Sequence, residues 1–227
     1  MEYQDDIKIA KERLASLYTY WEGKQSILEM KDVNYNWKQM EWWGFFFELL
    51  CHRKLENFFS IPGDRYGTKH SACFDLRRTI NWDLKAKAIQ ASSNNIILND
   101  TVGIDKSLEK YGFHGIIVAL CNVEYDTDRS FHTWHSILKD GKSKYEQKLD
   151  KEREHDIEQQ QKPSLSRDRK TKADLQEISF LIINSKNVSL LDVHCQGRNS
   201  NNKARNKKYM LNYDKNISEF LVDKIIF

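Results

Sequence analysis

Two acidic residues and a lysine lie close together in one stretch of the sequence, in an arrangement suited to metal-assisted chemistry. Asp75 is followed after seven residues by Asp83, and Lys85 comes two positions after Asp83. Residues 80–88 alternate between apolar and polar, which predicts a strand whose side chains point to opposite faces in turn. Asp83 and Lys85 then share one face, about 7 Å apart along the strand. The segment 74–89 therefore predicts a hairpin that presents an acid and a lysine together, with a second acid one turn earlier.

These residue types match the needs of phosphodiester hydrolysis. That reaction requires an attacking water, neutralisation of charge at phosphorus and stabilisation of the leaving oxygen, and Mg²⁺ supplies much of this. Mg²⁺ prefers oxygen ligands, so the carboxylates of Asp75 and Asp83 and the carbonyl of Leu84 are candidate ligands. Lys85 is the candidate to orient or deprotonate the attacking water, or to neutralise the developing charge. Lys87 lies on the same face and is the alternative lysine.

An apolar segment upstream predicts a buried helix over 38–59 that carries one carboxylate. Residues 42–51 are apolar almost all round, and Glu48 is the only charged residue among them. A buried carboxylate without a partner is costly. We therefore expect Glu48 to meet a metal, a cation or a hydrogen-bond network, as a further catalytic and metal-binding candidate. In the alternative, Glu48 reaches solvent from the helix edge or pairs with Arg53 or Lys54.

The order Asp75, seven residues, Asp83-Leu84-Lys85 resembles the PD-(D/E)xK nuclease motif. Its flanks, Phe74-Asp75-Leu76 and Asn81-Trp82-Asp83-Leu84-Lys85-Ala86, are similar to those of Type II restriction endonucleases. The resemblance implies a restriction-endonuclease-like core, Mg²⁺ as cofactor and an upstream helical acid, the place that Glu48 fills. No proline precedes Asp75, where Cys73-Phe74 stands. Pro62-Gly63-Asp64 resembles the first half of the motif, but it lies in a glycine-containing loop.

Two basic stretches are candidates for DNA contact. Residues 162–172 and 197–208 each hold five lysines and arginines, and the second also holds four asparagines. Lysine and arginine bind phosphates, whereas arginine, lysine and asparagine also read base edges. In the alternative, each stretch is a solvated loop. The candidate DNA-contact residues are Arg198, Asn199, Asn201, Asn202, Lys203, Arg205, Arg167, Arg169, Lys170 and, beside the hairpin, Arg77 and Arg78.

Length and composition fit one nuclease domain spanning residues 1–227. The chain has 227 residues, of which 40% are hydrophobic, and a net charge of +3. The interleaved patterns predict an α/β fold, with a mixed central β-sheet flanked by helices. The further predicted strands are 95–98, 115–124, 178–183, 188–193 and 209–213, and the further predicted helices are 3–21, 105–111, 128–139, 143–161 and a final one from about 216.

The predicted activity is Mg²⁺-dependent, sequence-specific cleavage of double-stranded DNA. A homodimer is expected, because a two-fold protein suits cutting both strands of a symmetric site. Scattered cysteines without a signal peptide predict a cytoplasmic protein, and no apolar run approaches the ~20 residues that span a membrane. The glycines form no phosphate-binding motif of NTPases or dehydrogenases. The alternatives are a structure-specific repair or junction-resolving nuclease, and a non-catalytic nucleic-acid-binding module on a nuclease scaffold.

Overall fold

The computed structural model describes residues 3–62, 74–89, 95–161, 168–195 and 205–227. Helices and strands interleave along these ranges, as the sequence pattern predicts for an α/β protein. The elements are α1 (Gln4–Leu14), β1 (Tyr20–Glu22), α2 (Gly23–Asp32), α3 (Trp42–Leu55), β2 (Leu76–Arg77), β3 (Asn81–Ala88), β4 (Asn95–Asp100), α4 (Thr101–Tyr111), β5 (Phe113–Tyr125), α5 (Ser130–Leu138), α6 (Lys144–Glu158), β6 (Lys170–Asn184), β7 (Asp192–His194), β8 (Lys208–Asn212), α7 (Tyr213–Asn216) and β9 (Leu221–Ile226), with short 3₁₀ turns at Val188–Leu190 and Ile217–Glu219.

The main sheet is mixed and has six strands. Its order is β1-β6-β5-β3-β2, and β9 also pairs with β6. β2 and β3 form an antiparallel hairpin, β3 runs parallel to β5, and β5 is antiparallel to β6. Because β5 occupies one edge of β6 along its length, β1 and β9 follow one another along the opposite edge. The predicted mixed central sheet with flanking helices is therefore observed.

Each face of the main sheet carries its own apolar core. On one face, Trp82 and Leu84 of β3 pack with Phe46 and Phe47 of α3. On the other face, side chains of β5 and β6 pack beneath a three-stranded antiparallel sheet, β4-β8-β7. Asp83 and Lys85 alternate with the first set, so they point toward the second layer. The alternation predicted for β3 is correct, but neither face of this strand is a solvated surface.

The hairpin of β2 and β3 is held against α1 by one buried carboxylate. Asp6 is fully buried and accepts hydrogen bonds from the backbone N–H groups of Thr79 and Ile80, at 3.0 and 3.3 Å. It also accepts from Trp82 Nε1 at 3.0 Å. The turn and the first residues of β3 are thereby fixed before the strand reaches Asp83.

Two of the predicted elements are wrong in the last fifth of the chain. The segment 188–193 was expected to pair with 178–183 as a hairpin, but it forms a 3₁₀ turn and β7, and β7 pairs with β8. The final helix expected from about 216 is not formed, because the short α7 ends at Asn216 and is followed by the 3₁₀ turn Ile217–Glu219 and by β9. Both outcomes have one cause, because β9 occupies the edge of β6 where the hairpin partner would have paired.

The expected basic loops are only partly described by the structure. Residues 162–167 and 196–204 lie outside the described ranges. Residues 170–172 belong to β6 and Lys208 begins β8, so the ends of both stretches are strands rather than loops. Within the described ranges, no helix is long and apolar enough to cross a membrane.

Candidate active site

Asp75 lies beside β3 at the start of the hairpin. Leu76 pairs with Trp82, and the backbone N–H of Asp75 donates to the carbonyl of Trp82, the residue before Asp83, at 2.9 Å. Asp75 is half-buried, and its Oδ2 accepts a hydrogen bond from the backbone N–H of Leu84 at 2.7 Å. Burial raises the pKa of Asp75 to about 6, with Asp83 adding to the rise, against the lowering effects of Lys85 and the Leu84 N–H.

Asp83 is fully buried, and both of its carboxylate oxygens have a partner from another strand. Oδ1 accepts from the side-chain amide of Asn99 on β4 at 2.6 Å. Oδ2 lies 3.0 Å from Nε2 of His114, a fully buried residue of β5. The other ring nitrogen of His114 has no hydrogen-bond partner among the described residues. Each carboxylate oxygen has more than one acceptor site, so these contacts orient Asp83 without using up its capacity to bind.

Lys85 is joined to Asp83 through Asn99. Its ammonium donates to the amide oxygen of Asn99 at 3.1 Å. Burial opposes the charge, but Asp83, Asp75 and Glu48 outweigh it and raise the pKa of Lys85 above its usual value. Lys85 is therefore an ammonium at neutral pH.

Lys87, the alternative lysine, lies in a different electrostatic environment. It is buried two positions further along β3. Burial lowers the pKa of Lys87, and the charge that opposes this is that of Asp214, near β8. Asp83, Asp75 and Glu48 raise the pKa of Lys85, whereas the acid that acts on Lys87 is Asp214. The geometry therefore favours Lys85 over Lys87 as the lysine of the candidate site.

Glu48 approaches the same group from α3. Its Oε1 accepts a hydrogen bond from the hydroxyl of Tyr35, which lies between α2 and α3. Burial raises the pKa of Glu48 to about 8, with Asp75 and Asp83 adding to the rise and Tyr35 and Lys85 opposing it. These mutual effects place Glu48 within electrostatic reach of the hairpin. Among the described residues, neither Arg53 nor Lys54 pairs with Glu48, since they contact Glu29 and Ser16 instead.

The Leu84 carbonyl and the Asp75 carboxylate lie at the same edge of β3. The N–H of Leu84 points to Asp75, and within a strand the N–H and C=O of one residue point to the same side. The Leu84 carbonyl is therefore directed to the edge where the Asp75 carboxylate lies. Within the described ranges, no three acidic, histidine or cysteine side chains are near enough together to hold one metal ion. A cation at this edge would have one or two carboxylates and a carbonyl as ligands, with water completing its shell.

Most of the candidate DNA-contact residues are exposed or lie outside the described ranges. Arg77 and Arg205 are exposed, and the Arg77 guanidinium lies over the ring of Phe74 at 5.4 Å. Arg78 is exposed in part and pairs with Asp6 at 3.1 Å. The residues of this set outside the described ranges are Arg198, Asn199, Asn201, Asn202, Lys203 and Arg167.

Arg169 and Lys170 are buried, which corrects their expected role as DNA contacts. Arg169 is 2% exposed, pairs with Glu146 of α6 and donates to His132 Nδ1 at 3.2 Å. Lys170 is 8% exposed and donates to Glu41 at 2.7 Å. A buried guanidinium needs such partners to offset its loss of hydration. Both residues therefore hold α5, α6 and α3 against β6.

Three residues of the group escaped the sequence patterns: Tyr35, Asn99 and His114. Asn99 and His114 contact Asp83 and Tyr35 contacts Glu48, in each case across more than 10 residues of sequence. Periodicity identifies the face on which a residue lies, but not the partner that the fold brings to that face. Comparison of the chain with protein-family models, with curated proteins and with solved structures finds no match.

Proposed function

We propose that this chain is a Mg²⁺-dependent endonuclease that cleaves double-stranded DNA at specific sequences, in the manner of Type II restriction enzymes. The observation that carries the proposal is the convergence of Glu48 from α3 and Asp75 from the hairpin on the Asp83 and Lys85 pair of β3. Such a group of buried acids around one ammonium is costly for folding alone. A function that uses the charges accounts for their retention.

The donor set fits Mg²⁺. Three carboxylates surround one ammonium, and burial, with a contribution from the neighbouring acids, raises the pKa values of Glu48 and Asp75. Asp75, Glu48 and the carbonyl of Leu84 would hold the ion, with Asp83 adjoining, and Mg²⁺ keeps several waters when few protein ligands are present. When bound, the ion supplies charge neutralisation at phosphorus and a more acidic water.

The protein's own residues have separate tasks in this proposal. The Lys85 ammonium contacts a non-bridging phosphate oxygen and offsets the charge that develops there. Because its pKa is raised, Lys85 acts as a cation rather than as the base that takes a proton from water. Glu48 is close to half-ionised near pH 8 without the ion, and as a ligand of the ion it would be ionised. Asp83, held on both oxygens, keeps a fixed negative charge beside Lys85.

The direct test is cleavage of plasmid DNA in Mg²⁺ by the wild-type protein and by matched lysine variants. Lys85→Met should lower the cleavage rate by roughly 100-fold or more. Lys87→Met, on the same face two positions further along, should stay within a few-fold of the wild type. Asp83→Asn should behave as Lys85→Met does. Equal loss in the two lysine variants would contradict the assignment of the site.

The products separate the proposal from its two alternatives. Discrete, reproducible fragments from a linear plasmid support sequence-specific cleavage. Preferential cutting of four-way junctions or flaps supports a repair or junction-resolving nuclease. DNA binding without cleavage in Mg²⁺ or Mn²⁺ supports a non-catalytic module. We further propose that the active form is a homodimer, which sedimentation analysis with and without DNA would test.

A further inference from the structure

Asn99 lies between the acid and the lysine of the proposed centre. Its Nδ2 donates to Asp83 Oδ1 at 2.6 Å, and its Oδ1 accepts from Lys85 Nζ at 3.1 Å. Asn99 is the next-to-last residue of β4, which belongs to the second sheet. The amide therefore joins the two layers at the point where the charged side chains meet.

The chemistry of the three side chains sets the orientation of this amide. An ammonium has only donors, an ionised carboxylate has only acceptors, and an amide has both. Only one orientation of the Asn99 side chain satisfies Lys85 and Asp83 together. Neither an apolar side chain nor an ionised carboxylate at this position makes both hydrogen bonds.

The bridge that Asn99 forms between Asp83 and Lys85 changes which groups the Lys85 ammonium can bind. An acid and a lysine two positions apart on one strand face can pair directly. The carboxylate then accepts hydrogen bonds from the ammonium, which leaves fewer N–H groups for a substrate. Here one N–H of Lys85 is used by Asn99, and the other two have no hydrogen-bond acceptor within the described ranges. They remain available to oxygen atoms of a substrate. Asp83 is also held by His114, so Lys85 is the group that depends more on Asn99.

We propose that Asn99 is a positioning residue of this centre, which holds the Lys85 ammonium in place for the scissile phosphate and keeps it apart from Asp83. The role rests on the proposed nuclease function. Asn99 acts through Lys85 and does not touch the reacting atoms. Residues that hydrogen-bond to metal ligands typically account for 10- to 100-fold in activity, and we expect a similar effect for a residue that orients the Lys85 ammonium.

Two substitutions at position 99 should move the pKa of Lys85 in opposite directions. Asn99→Leu keeps a similar volume and removes a hydrogen bond that favours the ammonium, so the pKa falls. Asn99→Asp adds a carboxylate next to the ammonium, so the pKa rises. Each shift should be roughly half a unit or more. It is measured by NMR titration of the Lys85 side chain without DNA, with the signal assigned from Lys85→Arg.

The same variants should separate catalysis from DNA binding. Asn99→Leu should lower kcat by roughly 10- to 100-fold and leave the KM for DNA within about two-fold, because no phosphate contact is removed. The alkaline limb of the kcat–pH profile should move with the Lys85 pKa. The matched control is Ile97→Thr, which alters an exposed side chain two positions earlier on the same strand and outside the proposed DNA-contact residues. This control should match the wild type in kcat and in the Lys85 titration.

The outcomes distinguish the two proposals. Opposite pKa shifts with a reduced kcat support the positioning role. A Lys85 titration that is the same in all variants, or an unchanged kcat in a folded Asn99→Leu, overturns it. Failure of the wild type to cleave DNA overturns the proposed function instead, while the titration still reports whether the bridge holds Lys85. If Asn99→Leu does not fold, Asn99→Asp, which has the same shape as Asn99, carries the comparison.

Discussion

At the scale of single residues, ionisation of two acids in the candidate centre is unfavourable. The pKa of Glu48 is raised to about 8 and that of Asp75 to about 6, because both are removed from water and face other acids. At pH 7 Glu48 is therefore mostly protonated and Asp75 is mostly ionised. A bound cation would favour the ionised form of both, so Mg²⁺ binding at this centre would release protons.

The raised pKa of Glu48 predicts how this residue affects the stability of the fold at different pH values. Its pKa is 4.5 before folding and about 8 in the folded protein, so its contribution is fully present below pH 4.5 and is lost as the pH rises through 8. Glu48→Gln cannot ionise and still accepts the Tyr35 hydrogen bond. In EDTA, its melting temperature should therefore exceed that of the wild type at pH 8 by roughly a few degrees and match it near pH 5. A difference in melting temperature between the two proteins that stays the same from pH 5 to pH 8 would contradict the raised pKa of Glu48.

At the scale of elements, Asp6 connects α1 to the hairpin of β2 and β3. Its carboxylate is fully buried and accepts from Thr79, Ile80 and Trp82, besides pairing with Arg78. Asp6→Ala would leave these donors unsatisfied, and we expect the free energy of unfolding to fall by roughly 3–5 kcal/mol. Urea denaturation measures the change.

A neighbouring acid provides the control for this prediction. Asp5 lies on the same turn of α1 but is exposed. Asp5→Ala should change the free energy of unfolding by no more than about 0.5 kcal/mol. A similar loss in both variants would mean that helix electrostatics, and not the contact with the hairpin, stabilises α1.

β3 and β5 meet at a position where only glycine fits. Gly115 lies opposite Trp82, and a Cβ atom added to it would be 2.2 Å from the indole Cε3. Gly115→Ala should therefore destabilise the protein by about 2–3 kcal/mol or more, because the ring must shift in a packed core. Gly44 on α3 has open space around its Cα, so Gly44→Ala should stabilise by roughly 0.5–1 kcal/mol. Thermal unfolding of both variants tests this contrast.

At the scale of the whole molecule, local patterns predicted the hairpin but not its surroundings. The alternation of residues 80–88 correctly places Asp83 and Lys85 on one face, since strand geometry depends only on neighbours in sequence. The apolar run of α3 likewise predicts burial near Glu48. Asn99 and His114 could not be found in this way. Pairing of β5 with β3 brings His114 to Asp83 across 31 residues of sequence, and packing of the second sheet on the main sheet brings Asn99 to Asp83 across 16.

The C-terminal segment is a second case in which the local pattern does not determine the structure. Residues 221–226 alternate in exposure, as a strand at a sheet edge does, yet Phe220 and Leu221 also fit a helical pattern. Pairing with β6 decides in favour of the strand, and the N–H of Ile182 donates to the carbonyl of Phe220 at 2.8 Å. No local pattern shows which segment will take the open edge of β6.

The pairing of β4 with β8 has a consequence during synthesis of the chain. β4 carries Asn99, and Asn95 pairs with Asn212, so this strand gains its sheet partner only after residues 208–212 have left the ribosome. A nascent chain that already contains Asp75, Asp83 and Lys85 still lacks the strand that secures Asn99 between them. Under the proposed nuclease function, the centre would therefore reach its full activity only after residues 208–212 have paired with β4.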